Sequence, residues 1–67
     1  MKFYHMFSNS DDYYEDGVQK TVSLRQGEVS LKELQEYCEI FTNKVDYSVL
    51  VIDRIENDTI YFYSDIR

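Results

Sequence analysis

The residues able to do chemistry in this chain are few and scattered. His5 is the single imidazole and Cys38 the single thiol. One of each cannot assemble a Cys/His zinc site, and a lone cysteine cannot close an internal disulfide. His5 sits in an apolar, aromatic stretch with no evident serine or cysteine partner, which suits a structural histidine. Carboxylates are the one reactive group in quantity: Asp11, Asp12, Glu15 and Asp16 fall within six residues, with Tyr13 and Tyr14 between them. Glycosidase chemistry needs two carboxylates facing across a cleft, one of them shielded enough to hold a proton. A chain of 67 residues has little room for such a cleft. Calcium binding is also disfavoured, because SDDYYEDG lacks the alternating oxygen ligands, central glycine and closing glutamate of an EF-hand loop. There is no glycine-rich phosphate loop and no HExxH. Catalysis, a metal and a cofactor are not expected.

What the same residues can do is recognise. Thirteen acids against seven Lys and Arg give a net charge of -6, which repels a phosphate backbone and argues against direct nucleic-acid binding. It favours instead a protein partner with a basic surface. The candidate contacts are Asp11, Asp12, Tyr13, Tyr14, Glu15 and Asp16, with Glu33, Glu36 and Glu39 as a second acidic region. Carboxylates steer such an encounter and tyrosine rings anchor it. At 43% hydrophobic, 16% aromatic and 30% charged, the chain is too apolar for a disordered segment and too charged for a membrane span. Met1 to Met6 has one lysine and no apolar run of signal-peptide length, and a free thiol suits a reducing compartment, so a cytoplasmic location is expected.

These residues must be positioned by a small set of elements. Lys2 to Ser8 reads as a strand, Asn9 to Gly17 as a loop ending in an Asp16-Gly17 turn, and Val18 to Gln26 as a second strand in which Lys20 interrupts the apolar parity. Ser30 and Glu33 have the spacing of a capping box, opening a helix from Leu31 to about Thr42. Leu31, Leu34, Cys38 and Phe41 form its apolar stripe, flanked by Tyr37 and Ile40. Val45 to Glu56 and Thr59 to Ile66 read as a hairpin broken at Asn57-Asp58. The expected fold is α+β, one small domain over residues 1–67 in ββαββ order, with a four-stranded, mainly antiparallel sheet and one helix on one face.

On the helix side the pattern places Phe3, His5, Phe7, Val22, Leu24, Leu50, Ile52, Ile60, Phe62 and Ile66. The other face carries Tyr4, Met6, Tyr47, Val49, Val51, Tyr61 and Tyr63, where a merely solvated sheet would carry Thr, Lys and Glu. Tyr4, Tyr47, Val49, Val51, Tyr61 and Tyr63 therefore form an alternative interface, through which the chain could self-associate as a homodimer or scaffold. In size, charge and Tyr/Asp richness the chain is similar to small acidic inhibitors carried by phages and mobile elements against host nucleic-acid enzymes and defence effectors. That similarity, which involves no aligned motif, implies charge mimicry and stoichiometric inhibition or modulation of a nucleic-acid-binding partner.

Overall fold

A computed structural model describes residues 1–67 in the order β1 (Lys2–His5), β2 (Asn9–Glu15), β3 (Val18–Leu24), β4 (Gly27–Val29), α1 (Leu31–Lys44), β5 (Ser48–Glu56) and β6 (Thr59–Ile66). Two dipeptides close the hairpins. Asp16-Gly17 joins β2 to β3 and Asn57-Asp58 joins β5 to β6, and all four residues have positive φ, at 53°, 76°, 51° and 59°. Such two-residue turns match the twist of the flanking strands, and Gly, Asn and Asp tolerate the left-handed region best.

Three strands of the main sheet come from the ends of the chain. Its order is β4-β1-β6-β5, with β1 parallel to β6 and the other two pairs antiparallel. The sheet is thus mixed. β2 and β3 form a separate two-stranded sheet along the helix. The order differs from ββαββ in two places. Asn9–Glu15, expected as a loop, is a strand because pairing with β3 lets Tyr13 go inward while Ser10, Asp12 and Tyr14 face water. Gly27–Val29, read as punctuation before the helix, is a short edge strand on β1. Gly27 sits at φ 120°, a conformation other residues rarely adopt.

The capping box forms as expected, with Ser30 Oγ accepting from the Glu33 amide and Glu33 accepting from the Ser30 amide. The helix continues to Lys44, and β5 starts only at Ser48, because Val45 is the buried C-cap and Tyr47 takes a positive φ of 62°. The core is small: Tyr13, Val22, Leu24, Val29, Tyr37, Phe41, Val45 and Phe62, with His5 among them. Phe41 is wholly buried and stacks on Tyr37 with ring centroids 4.8 Å apart. Several residues expected in the core lie outside it. Phe7 falls beyond the end of β1, Leu31 lies at the first turn of the helix, and Leu50, Ile52 and Ile66 occupy the part of the sheet that the helix does not reach. Leu34 and Cys38 are half-buried.

With so few core side chains, each one matters. Phe41→Ala is expected to cost about 3–5 kcal/mol, comparable to the whole stability of a domain this small. Urea unfolding followed by circular dichroism should find the variant largely unfolded in buffer; a loss below about 1 kcal/mol contradicts this packing.

Candidate protein-binding interface

The surfaces available for binding are set by how the two sheets are fastened to the helix. At the junction lies His5, with 0% of its surface exposed. Its Nδ1 is 3.0 Å from the Arg25 carbonyl, which can only accept, so Nδ1 carries the proton. Nε2 then accepts from Ser64 Oγ at 2.9 Å, Ser64 Oγ accepts from the Tyr37 hydroxyl at 2.9 Å, and that hydroxyl accepts from Asn9 Nδ2 at 3.1 Å. Asn9 also donates to Asp11. The imidazole packs on Phe62, with centroids 5.0 Å apart. Ser64 is the partner that sequence could not reveal, since 59 positions separate it from His5. The pair has the spacing and proton order of a nucleophile and its base, but its ring is wholly buried, and the bond ties β1 to β6. Burial holds the His5 imidazole below its ordinary value near 6.5 and pushes the Tyr37 phenol and the Cys38 thiol up. A half-buried thiol with a raised pKa is a poor nucleophile.

The acidic segment is divided by the strand it belongs to. On β2, Tyr13 is 9% exposed and belongs to the core, which removes it as a surface anchor. Tyr14, at 69%, faces outward beside Asp12. Asp12 accepts from Gln19 at 3.0 Å and Thr21 at 2.8 Å on β3 but meets no cation. Glu15 is neutralised by Lys20 at 3.0 Å and Lys44 at 3.3 Å, which lower its pKa and pin the hairpin tip to the end of the helix. Lys20, the polar intruder in the apolar parity of β3, finds its reason there.

The helix acids divide similarly. Glu33 is held by Arg25 through contacts of 3.0 and 3.1 Å and by the cap, so its pKa is lowered and its carboxylate is committed. Glu36 and Glu39 are exposed and form no ion pair. Glu36 looks into an open groove of about 460 Å³ between β3 and α1, floored by Val22 and Leu24. The carboxylates without an ion pair are Asp11, Asp12 and Asp16 on the hairpin, Glu36 and Glu39 on the helix, and Asp46 just after it. Those of the main sheet and its turn, Glu28, Asp53, Glu56, Asp58 and Asp65, all face a cation. Carboxylates with no ion pair at all are therefore confined to the hairpin and helix side.

The helix-free face of the main sheet gathers the tyrosines. Register places Tyr4 beside Tyr61 and Val51 beside Tyr63, with Val49 opposite Asp65 on the same side. Tyr4 and Tyr61 rings lie 5.4 Å apart, Arg54 lies over Tyr61 at 3.9 Å, and Phe7 covers Tyr63 edge-on at 6.0 Å. Gln26 donates to the Tyr4 hydroxyl. Tyr47 is not part of this row; it stands exposed in the turn before β5. Arg54 reaches the face because a bulge between Ile52 and Arg54 sets Asp53 out of register and exchanges the parity beyond it.

The other side of the same sheet is only half covered. Beyond the helix, Leu50, Ile52, Ile55 and Ile66 are exposed, and between helix and strands lies an open apolar groove of about 210 Å³ lined by Phe3, Leu34, Leu50, Ile52, Ile60 and Phe62. No group of three or more His, Cys, Asp or Glu is placed to hold a metal ion, and no helix is long and apolar enough to cross a membrane. Comparison with known proteins finds no matching family model, curated protein or solved structure.

The depressed pKa of His5 has a measurable consequence. The folded state binds fewer protons than the unfolded one, so the His5 contribution is complete above about pH 6.5 and is lost as pH falls below it. The melting temperature should be level between about pH 7 and 8 and decline towards pH 5, as this group lowers the unfolding free energy by at most about 1.4 kcal/mol per pH unit. Only at lower pH do the Glu15 and Glu33 pairs add their losses. A melting temperature unchanged from pH 7.5 to 5 contradicts the buried neutral imidazole.

Proposed function

We propose that this chain is a non-catalytic binding protein that occupies, one to one, the basic nucleic-acid-binding surface of a protein partner and thereby inhibits or modulates it. The observation that carries the proposal is the segregation of charge. Acids on the main sheet each face a cation, Asp53 and Glu56 sharing Arg54, while Asp11, Asp12, Asp16, Glu36, Glu39 and Asp46 do not, and of the neighbouring cations Lys32 alone is left without an acid. Carboxylates on the hairpin and the adjoining helix resemble a phosphate backbone in charge, and a protein groove rich in Lys and Arg answers both. Exposed Tyr14 beside Asp12 supplies the apolar anchor that charge alone lacks. Exposure favours Asp12, Tyr14, Asp16, Glu36 and Glu39 as contacts over Tyr13, Glu15 and Glu33, whose side chains serve the fold. Self-association over the tyrosine row has weaker support, because the rings already pack on one another and Arg54 occupies the centre of the face.

Purified nucleic-acid-processing enzymes with basic clefts, titrated against the chain by calorimetry, provide the test. A one-to-one complex is expected that weakens at least tenfold when salt rises from about 0.05 to 0.5 M, since exposed charges are then screened. Combined Asp12→Asn, Asp16→Asn and Tyr14→Ala substitutions should weaken it similarly without lowering the melting temperature by more than a few degrees. A complex indifferent to both salt and these substitutions contradicts charge mimicry.

A further inference from the structure

His5 is joined to the acidic hairpin by hydrogen bonds in series through Ser64, Tyr37 and Asn9, and both ends of the series are groups that only accept. At one end Nδ1 meets the Arg25 carbonyl at 3.0 Å. At the other the Asp11 carboxylate accepts from Asn9 Nδ2, the same nitrogen that donates to the Tyr37 hydroxyl at 3.1 Å. A carboxylate cannot donate, so Asp11 fixes the nitrogen of the Asn9 amide, and not its oxygen, toward Tyr37. Between these ends every donor has its acceptor. A proton added at Nε2 would turn that nitrogen into a donor facing Ser64 Oγ. Reversing Ser64 and then Tyr37 only passes the conflict outward, until the Tyr37 hydroxyl points at Asn9 Nδ2, which accepts nothing.

No ion pair competes to set the state of the ring. The helix brings Tyr37, its ring centroid 6.2 Å from that of His5, and next to it in the chain the Cys38 thiol. From β6 come Phe62 and Ser64, beyond which Asp65 faces Arg67, and β4 brings Gly27, beyond which Glu28 faces Lys2. Arg25 gives the ring its carbonyl and gives Glu33 its guanidinium. Among charged groups, only Asp11 is connected to His5 by the series.

We propose that Asp11 governs proton uptake at His5: by locking the Asn9 nitrogen onto Tyr37 it bars a proton from Nε2, and acid admits one only as Asn9 lets go of Tyr37 and the start of β2 opens. Asn9 is the link that yields, because it begins β2 and is half-exposed, so water replaces its contacts, whereas His5 and Tyr37 are buried. The opening takes from Asp11 its side-chain donor, so acid sensed in the core alters the hairpin surface. Linkage makes the coupling reciprocal: whatever holds Asn9 on Tyr37 holds His5 neutral to the same degree. This device belongs to the fold and is independent of what the hairpin binds.

The sign of one substitution tests it. Removing a negative charge ordinarily makes a histidine near it harder to protonate. Asp11→Ala should do the reverse, because the freed Asn9 amide can turn its oxygen to Tyr37; the proton affinity of the folded His5 ring should rise about tenfold, read from nitrogen-15 shifts over a pH series. Asn9→Ala should act in the same sense, and Asp12→Ala, on the outward side of the same strand, should leave the ring unchanged, with circular dichroism confirming that each variant is folded. The wild type gives a readout that needs no variant: the side-chain amide signals of Asn9 should move with the same midpoint as the His5 ring. An affinity that falls or stays level in Asp11→Ala, or that rises equally in Asp12→Ala, overturns the inference. So does a wild-type ring that takes its proton while the Asn9 amide signals stay fixed, or only when the whole chain unfolds.

Discussion

A buried imidazole is tolerated only where both nitrogens find partners, and in this chain those partners are drawn from every layer of the fold. His5 comes from β1, the Arg25 carbonyl from the end of β3, Ser64 from β6, Tyr37 from the helix and Asn9 from β2. The proton order runs one way, from Asn9 through Tyr37 and Ser64 to His5 and on to a carbonyl that can only accept. Each group is satisfied, and no buried side-chain polar atom lacks a partner. Breaking one link leaves the next unpaired in an apolar setting, which costs more than the bond itself contributes. The relay thereby ties β1, β2, β6 and the helix together beside a small apolar core.

The relay also decides which surfaces stay open. It draws the helix toward β1 and the hairpin, and the Glu15 to Lys44 pair holds the hairpin tip against the helix end. A helix of 14 residues is about 21 Å long against a molecule 43 Å in its longest dimension, so it cannot also cover β5 and β6. Exposed acids without an ion pair, Asp12, Asp16, Glu36 and Glu39, lie on the hairpin and helix, and the uncharged first half of β5, with Leu50 and Ile52, is left uncovered.

Much of this was legible in the sequence, and the failures have physical causes. Ser30 and Glu33 marked the helix start because a capping box is a local interaction. Asp16-Gly17 and Asn57-Asp58 marked their turns for the same reason, and alternation put Tyr4, Tyr61 and Tyr63 on one face of the sheet. Local composition misled at Asn9–Glu15, where Asp and Asn signal a loop yet a buried Tyr13 and the ladder to β3 make a strand. Nothing local identifies Gly27–Val29 as a strand, because it depends on the distant β1. Leu50, Ile52 and Ile66 look like core residues in any one-dimensional reading; only the position of the helix shows them uncovered. The roles of Glu15 and Glu33 as ion-pair partners were hidden for the same reason, since Lys44 and Arg25 reach them through space.

Nitrogen-15 chemical shifts of the His5 ring report the direction of the buried relay directly. At pH 7 the relay requires a neutral imidazole with the proton on Nδ1 and a bare, accepting Nε2, unchanged on lowering the pH well past 6.5 while the chain remains folded. A ring protonated on Nε2, or one that titrates like a free histidine in the folded protein, would show that the relay is not what joins the two sheets to the helix.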